Sequence, residues 1–255
     1  AEARYSKGEA RALEGLPLGV KDFHAVAGEI TTLGSKIFEH NRPERTAPTV
    51  ACLLDAGAIM HCRTTTPEFA HAPVTHSPLW GVTRNPWNLD YTPGGSSGGA
   101  GAALAAGMTF LADGTDAGGS VRMPASACGI VGYKPPFGRN PLDLDHPLES
   151  LLHYGPMART VGDAALMQNV MSGVHPDDIC SLREDLFIPK TLDDIKGWKI
   201  ALSIDLGFFE IAPEVRDKTL EAAELFRVMG CQVEEVALGW SYDIHDPYLQ
   251  YWEGM

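Results

Sequence analysis

Two short clusters of glycine and serine hold the residues of this chain that are best suited to nucleophilic chemistry. The first, GGSSGG, occupies residues 94–99, and the second lies within GTDAGGSVRMP at residues 114–124. In the first cluster the pattern Gly-x-Ser-x-Gly, which presents a serine hydroxyl on a tight turn, occurs around Ser96 and again around Ser97. The second cluster also places a serine, Ser120, directly after two glycines. A serine attacks a carbonyl carbon only when a base takes its proton, so such chemistry would need a base nearby.

The composition of residues 94–99 alone is typical of a flexible linker, but its flanks are not. Linkers separate domains and have polar neighbours, whereas this run leads directly into the alanine-rich residues 100–107. The phosphate-binding pattern GxxxxGK[ST] and the dinucleotide-binding pattern GxGxxG are both absent. A nucleophile elbow should follow a buried strand, yet residues 85–93 contain two prolines and no apolar run. The Gly-x-Ser-x-Gly pattern by itself is therefore weak evidence for a nucleophile elbow.

The elements between the two clusters are predicted to bring them together. Residues 98–107 are compatible with a helix about 15 Å long, at ~1.5 Å per residue. Residues 109–112 predict a short strand, which covers ~15–20 Å when extended by two residues. If this strand runs back alongside the helix, Ser120 returns to the neighbourhood of Ser96, 24 residues before it in the chain.

A lysine is predicted to reach the same place. LPLGV at residues 16–20 predicts a buried strand that ends beside Lys21. The helix pattern at residues 46–57 and the strand pattern at residues 58–62 complete a βαβ unit. Open α/β sheets place their sites at the carboxyl ends of parallel strands, so Lys21 and the two serines can converge.

Helices alternate with strands along most of the remaining sequence, which predicts an α/β fold. The exception is the segment from Pro67 to Pro93, which is rich in proline, tryptophan and histidine and is predicted to be an irregular, functional loop. The later elements are a capped helix at residues 160–173, a strand at 198–203, an amphipathic helix at 212–230 and a strand at 231–238.

The overall composition excludes several classes of function. The 255 residues carry a formal net charge of −13, which argues against a surface for nucleic acid or anionic membrane. The five cysteines are odd in number and widely spaced, which favours a reducing compartment, and we expect a cytoplasmic location. The longest weakly polar run, residues 100–112, is too short to cross a bilayer.

At these residues the chain resembles the amidase signature family. The matching stretches are GLPLGVKD, NPWNLDYTPGGSSGGAGAALAAG and GTDAGGSVRMPASACGIVGYKP, and the spacing of 75 residues from Lys21 to Ser96 is also similar. The resemblance covers about residues 15–172. It implies an α/β fold with a mixed, mostly parallel central sheet flanked by helices on both faces, and a single domain over residues 1–255.

The resemblance further implies a Ser–Ser–Lys triad that hydrolyses carboxamides through an acyl-enzyme. By position in the motifs, Ser120 would be the nucleophile, Lys21 the base, and Ser96 the serine between them, preceded by a cis peptide bond from Gly95.

Other residues of the two clusters are implied to support this triad. Backbone N–H groups would form an oxyanion hole, in which one donor typically contributes ~3 kcal/mol to transition-state stabilisation. These supporting residues are Ala117, Gly118, Gly119 and Ser120 for the hole, and Gly95, Ser97, Thr115, Asp116 and Arg122 for the polar surroundings.

Lys21 can act as a base only if its environment changes its protonation. A free lysine titrates near ~10.4, so burial would have to lower the pKa of Lys21 by about three units. The apolar residues 16–20 before it are consistent with burial. Asp22 would oppose this shift if it pointed inward, and a like charge from Arg122 would assist it.

A metal site and other cofactors are not expected. His71 with His76, and His61 with Cys62, have no third ligand at convincing spacing.

The aromatic residues of the long loop leave two interpretations open. Trp80, Trp87 and Tyr91 either line a substrate pocket or, as is more common for aromatic residues in proline-rich loops, hold the loop in place.

Four functions remain open at this point. The first is an amidase acting on a small carboxamide or anilide, and the second is the glutaminase subunit of a tRNA-dependent amidotransferase, which has the same triad and needs partner chains. The third is a Gly-x-Ser-x-Gly α/β-hydrolase esterase, and the fourth is a non-catalytic anion-binding module. We favour the first function, with a small-molecule amide as the substrate and with a homodimer as a compatible assembly. The negative net charge argues against nucleic acid or membrane as a partner.

The two ends of the chain predict that it is part of a longer protein. It starts in polar sequence typical of the end of a helix and stops among aromatic residues that ought to pack on something, YLQYWEGM. Members of the family that it resembles are usually considerably longer.

Overall fold

The computed structural model describes residues 1–143, 151–184, 186–244, 246–247 and 249–250. The chain separates into two compact units, residues 1–190 and residues 191–255. The single domain expected over residues 1–255 stays a prediction.

The first unit is built from five helices and seven strands among its described residues. In chain order they are α1 (Glu2–Ser6), β1 (Pro17–Lys21), α2 (Pro48–Asp55), β2 (Ile59–Thr64), β3 (His76–Ser77), β4 (Gly81–Val82), α3 (Gly98–Ala105), β5 (Leu111–Asp116), α4 (Arg122–Cys128), β6 (Val131–Gly132), β7 (His153–Ala158) and α5 (Val161–Met171). Short 3₁₀ turns occur at Lys36–Phe38 and Glu68–Ala70.

A mixed five-stranded sheet forms the centre of this unit, in the order β2-β1-β5-β7-β6. Strand β1 pairs in parallel with β2 and β5, whereas β7 pairs antiparallel with both β5 and β6. Four of the five strands therefore run in one direction and only β7 is reversed, which confirms the mixed, mostly parallel sheet. Strands β6 and β7 were not predicted from the sequence.

Local signals set the ends of several elements. Pro17 opens β1, Pro48 stands in the first turn of α2, and the Thr160 side chain caps α5 by accepting a hydrogen bond from the Asp163 backbone N–H. These three elements lie where the sequence predicts them.

Strand β5 differs from its prediction in both position and length. It begins at Leu111 rather than residue 109 and continues through the polar residues to Asp116. The whole strand is in register with β7, from Leu111 opposite Ala158 to Asp116 opposite His153. Tertiary pairing thus overrides the poor strand propensity of glycine and aspartate here, and it carries the strand to the edge of the second cluster.

Helices cover both faces of the sheet, as the resemblance implies. Alternate residues of a strand point to opposite faces, and each face has its own apolar cluster. One cluster joins β1, β5 and β7 to α2 and α5, and the other joins β5 and β7 to α3. Their members include Leu18, Val20, Val50, Leu53, Leu111 and Met167 on the first face, and Ala100, Leu104, Ala112, Val121 and Met157 on the second.

The segment from residue 67 to residue 93 is largely irregular, as predicted. Its regular structure consists of the 3₁₀ turn Glu68–Ala70 and the two-residue strands β3 and β4, which pair antiparallel.

The second unit contains β8 (Lys199–Leu202), α6 (Pro213–Val228) and β9 (Gln232–Glu235), followed by a 3₁₀ turn at Tyr242–Ile244. Strands β8 and β9 pair in parallel, with α6 as the connection between them. Pro213 stands in the first turn of α6, and Gly230, just past its end, has a positive φ of 88°. The three elements agree with the sequence prediction.

Within the described parts of the chain, no helix is both long and apolar enough to cross a bilayer. The same residues contain no group of three or more His, Cys, Asp or Glu side chains that could hold a metal ion. All five cysteines are free thiols.

Candidate active site

Lys21 ends strand β1 with its amine surrounded by hydroxyl groups. Its Nζ lies 2.7 Å from Ser96 Oγ, 3.0 Å from Ser97 Oγ and 2.7 Å from Thr115 Oγ1. Lys21 is 0% exposed, and all three partner residues are buried. The structure therefore brings Lys21 and the first cluster together. Ser97 and Thr115, which the resemblance placed in the polar surroundings of the triad, contact the amine directly.

The first cluster reaches Lys21 because its glycines let the backbone pack closely. Ser96 and Ser97 lie just before α3, and the Gly95–Ser96 peptide bond is cis, as the resemblance implies. A Cβ atom at Gly95 would lie 2.7 Å from the backbone O of Ala72, and one at Gly99 would press on the backbone of Thr65. The run is thus a buried, closely packed turn rather than a linker.

The second cluster lies beside the first. Ser120 is half-buried in the turn between β5 and α4, and its carbonyl O accepts a hydrogen bond of 3.2 Å from the backbone N–H of Ser97. Helices α3 and α4 also meet closely, since a Cβ at Gly101 would lie 3.0 Å from Pro124 Cβ. Ser120 is thereby held next to the serines that contact Lys21.

Asp116 shapes the turn that carries Ser120. Its carboxylate receives two hydrogen bonds from the Arg122 guanidinium, at 2.9 and 2.8 Å, and further ones from the backbone N–H groups of Gly119 and Val121, at 2.7 and 3.3 Å. These bonds hold the pKa of Asp116 below its usual value in spite of its burial, which raises that pKa. Asp116, held by Arg122, therefore stabilises the turn between β5 and α4 that carries Ser120.

This arrangement changes the composition of the predicted oxyanion hole. The Gly119 N–H donates to Asp116 Oδ1, so it is not available to a substrate oxygen. The N–H groups of Ala117, Gly118 and Ser120 make no hydrogen bond to the residues that the structure describes. Among the described residues, three of the four predicted donors therefore have no hydrogen-bond acceptor.

Burial lowers the pKa of Lys21 to about 7, against the opposing charges of Asp113 and Asp116. The shift has the size that a neutral base requires at neutral pH. Neither of the two neighbours named from the sequence acts as expected. Asp22 bonds to Thr32 and Trp80 instead of opposing the shift, and Arg122 pairs with Asp116 instead of assisting it.

Sequence reasoning missed one residue of this site, Asp113. It is fully buried in β5, and its Oδ1 accepts a 2.6 Å hydrogen bond from the backbone N–H of Lys21. The available signal was an acidic residue directly after the predicted strand at residues 109–112, since such a residue is rarely buried without a partner.

Of the aromatic residues Trp80, Trp87 and Tyr91 in the long loop, two hold the loop in place. Trp80 Nε1 donates to Asp22 Oδ2 at 3.0 Å, and Trp87 Nε1 donates to the carbonyl O of Cys128 at 2.7 Å. Tyr91 is exposed.

The chemistry available here is proton transfer from a hydroxyl to an amine in a dry environment. An ammonium at Lys21 donates to all three hydroxyls, whereas a neutral amine donates to two and accepts from the third. Ser96 is at hydrogen-bond distance from the amine, and the half-buried Ser120 lies beside the same serine pair.

Comparison with known proteins gives consistent matches along the chain. The model of the amidase family matches residues 1–252. The A subunit of glutamyl-tRNA(Gln) amidotransferase from Desulforapulum autotrophicum is 40% identical over 246 residues, which cover 93% of this chain and 50% of that protein. The chain thus spans about half the length of the curated relatives that it matches.

Solved structures agree with these matches. A bacterial aryl acylamidase of the amidase signature enzymes superposes with a TM-score of 0.89 at 34% identity, over 96% of this chain and 52% of that one. The A subunit of glutamyl-tRNA(Gln) amidotransferase from Thermotoga maritima superposes with a TM-score of 0.82 at 32% identity, over 94% and 54% respectively.

Proposed function

Because this chain belongs to the amidase family, we propose that it carries the catalytic centre of an amidase that hydrolyses a carboxamide to a carboxylate and an amine or ammonia. The observation that carries this proposal is the fully buried Lys21 amine, 2.7 Å from Ser96 Oγ, next to the turn that bears Ser120. Ser120 is the proposed nucleophile, Ser96 the proton relay and Lys21 the base.

In the first half-reaction, Ser120 Oγ attacks the amide carbon. Its proton passes to Ser96 Oγ, whose own proton passes to Lys21 Nζ and makes an ammonium. The free N–H groups of Ala117, Gly118 and Ser120 stabilise the oxyanion that forms. The C–N bond then breaks, and the departing nitrogen takes a proton from Ser96, which is reprotonated by Lys21. An acyl ester remains on Ser120.

In the second half-reaction a water molecule takes the place of Ser120 as the nucleophile, and the same proton transfers follow. Water attacks the ester carbon and gives its proton through Ser96 to Lys21. The Ser120–acyl bond breaks, and Ser120 recovers a proton by the same route. The products are the carboxylate and the free enzyme, so Lys21 ends as it began.

A panel of small amides and anilides tests this function. The protein is incubated with each compound, release of amine is measured, and quenched samples are examined by mass spectrometry for an acyl group on Ser120. We expect turnover of at least one compound and an adduct at that serine. An acyl group found consistently on another residue, with Ser120 unmodified, would refute the assignment.

A second function is favoured by the curated relatives, which are amidotransferase A subunits. In this alternative the same centre would release ammonia from glutamine for transfer to an acyl-tRNA, and partner chains would be needed. The two candidates share their chemistry and differ in the acceptor of the nitrogen.

Glutamine turnover separates the two candidates. The amidotransferase function requires glutamine hydrolysis, co-purification with partner chains and ammonia transfer to acyl-tRNA. A free-standing amidase would hydrolyse other amides without partners. The odd number of cysteines supports a reducing, cytoplasmic location for either.

The esterase alternative has less support. A nucleophile elbow follows a strand, but the described residues 83–97 before α3 contain none. Ser96 and Ser97, the two serines of the pattern, are buried against Lys21.

A further inference from the structure

A buried carboxylate bonds to the main chain of the residue that carries the proposed base. Asp113 is 0% exposed and lies on β5, the strand that pairs with β1. Its Oδ1 accepts the 2.6 Å hydrogen bond from the backbone N–H of Lys21, the residue that carries the proposed base. The side chain therefore contacts the main chain of Lys21, whereas the serines contact the Lys21 amine.

The second oxygen of this carboxylate faces a buried histidine. Asp113 Oδ2 lies 3.7 Å from His24 Nε2. This carboxylate oxygen accepts no hydrogen bond within the described residues. The His24 ring packs edge-to-face on Tyr154 with centroids 4.2 Å apart. An aspartate and a histidine are thus buried together next to the Lys21 backbone.

Several other ionisable groups act on this cluster from the neighbouring elements. Arg63 on β2 lies near Asp113 and Asp22, and its guanidinium donates to the carbonyl O of His24 at 2.6 Å. The remaining groups are Asp116 on β5, which is paired with Arg122, and Tyr154 on β7, whose pKa is raised by burial. Among these groups, Asp113 is the one that accepts a hydrogen bond from the Lys21 backbone N–H.

We infer that Asp113 is a positioning residue for the proposed base: one oxygen fixes the main chain of Lys21, and its charge controls how readily the Lys21 amine takes up a proton. This inference rests on the proposed function of Lys21. Asp113 does not touch the substrate, and no covalent step involves it.

The electrostatics of the cluster agree with this role. Burial lowers the pKa of Lys21 and raises that of Asp113, each to about 7, and each group's charge opposes the shift of the other. An ionised Asp113 stabilises the Lys21 ammonium, which is the inactive form of a base. A neutral Asp113 removes that stabilisation. The two groups therefore titrate as a coupled pair within the range of pH at which the base has to work.

Asp113→Asn is the primary test, carried out on the full chain. The amide oxygen can still accept the Lys21 N–H, but the charge is gone. Two quantities are measured: the midpoint of the acid limb of kcat/KM on an amide substrate, and the titration of Lys21 by NMR of its ¹³Cε. We expect both midpoints to fall by about one unit or more, as for loss of a neighbouring opposite charge, while the plateau rate changes less than tenfold. Asp217→Asn, at an exposed site on α6, should move neither midpoint.

Two further variants keep the inference testable if Asp113→Asn folds poorly. Asp113→Ala removes the acceptor as well as the charge, so its plateau rate should fall more than tenfold below that of Asp113→Asn. Lys21→Met removes the cation, and because electrostatic coupling is reciprocal, the carboxyl ¹³C of Asp113 should titrate at a higher pH than in the unaltered protein.

The outcomes separate this inference from the proposed function. If the ¹³Cε titration of Lys21 in Asp113→Asn, or the carboxyl titration of Asp113 in Lys21→Met, stays where the unaltered protein has it, the inference is overturned. If Lys21 titrates and shifts as expected but the rate does not follow it, the charge coupling stands and Lys21 is not the base.

Discussion

The two glycine–serine clusters have similar composition but different environments. In residues 94–99 both serines are buried, Ser96 at 1% and Ser97 at 0% exposure, and both contact the Lys21 amine. In residues 117–120 Gly118 is exposed and Ser120 is half-buried. A buried serine can hold or pass a proton, whereas a nucleophile has to reach a substrate. The difference in exposure therefore divides the proposed roles between the two clusters.

The largest expected loss of activity is in the more exposed of the two clusters, residues 117–120. Ser120→Ala should lower amide hydrolysis by about 10⁴-fold or more, because it removes the hydroxyl that we propose forms the acyl intermediate. Its thermal unfolding should change little, since the residue is half-buried and loses one oxygen. Rates and unfolding midpoints are measured beside Ser126→Ala, an exposed serine on α4, which should behave as the unaltered protein. Normal turnover of Ser120→Ala would erase the proposed contrast between the clusters.

The next largest effect is expected at Lys21, the proposed base, whose amine contacts both serines of residues 94–99. Lys21→Met keeps an unbranched side chain of similar length but cannot accept a proton, so the rate should fall by about 10³-fold or more. Lys36→Met, at an exposed position, provides the control. A Lys21→Met protein that is folded and retains more than a tenth of the rate would contradict the assignment of the base.

The same residue sets the pH dependence. With the pKa of Lys21 lowered to about 7 by burial, the amine is neutral above that pH and an ammonium below it. The value of kcat/KM should therefore be level above about pH 7 and fall about tenfold per unit below it. The profile is measured from pH 5 to 9 on an uncharged amide. A rate that is constant from pH 5 to 8 would show that no group with this pKa acts as the base.

A smaller difference is expected within the buried cluster. Ser96→Ala should lose about 10²- to 10³-fold, since it removes the proposed relay but leaves the nucleophile and the base. Ser97→Ala removes one of three hydroxyl partners of the amine and should lose about tenfold. Steady-state rates of both variants decide the point, and equal losses would mean that the cluster has no distinct relay.

The smallest effect concerns packing rather than chemistry. Gly99→Ala would press a Cβ on the backbone of Thr65, so the free energy of unfolding should fall by about 1–3 kcal/mol. Gly162→Ala on α5, where the nearest atom is 4.0 Å away, should cause no such loss. Denaturant unfolding of both variants makes the comparison. Equal stability of the two would mean that the buried cluster does not need its glycines.

The elements with strong local signals were predictable. Pro48 and the Thr160 cap mark helix starts, and the apolar run before Lys21 marks a strand, because these signals act within a few residues. Strands β6 and β7 and helix α4 escaped prediction. Strand β7 contains Gly155 and Pro156, which are poor strand formers, and it is held by pairing with β5, a partner some forty residues away.

The candidate site also contains residues that the sequence could predict and contacts that it could not. The motifs identified Lys21, Ser96 and Ser120, and their spacing allowed them to meet. Two contacts could not be predicted: Asp113 accepts a hydrogen bond from the Lys21 N–H, and Asp116 accepts one from the Gly119 N–H. Both depend on side-chain directions that no local sequence pattern contains.

From its sequence alone, this chain is an α/β protein with two serine clusters and a lysine at the spacing of one family, since residue types and short-range signals are written along the chain. Only the tertiary structure decided which hydroxyls contact the Lys21 amine, which backbone N–H groups have no acceptor among the described residues, and which carboxylate bonds to the Lys21 backbone. Those choices depend on distances between segments far apart in sequence and on the exclusion of water between them, and both arise when the sheet and its helices pack together.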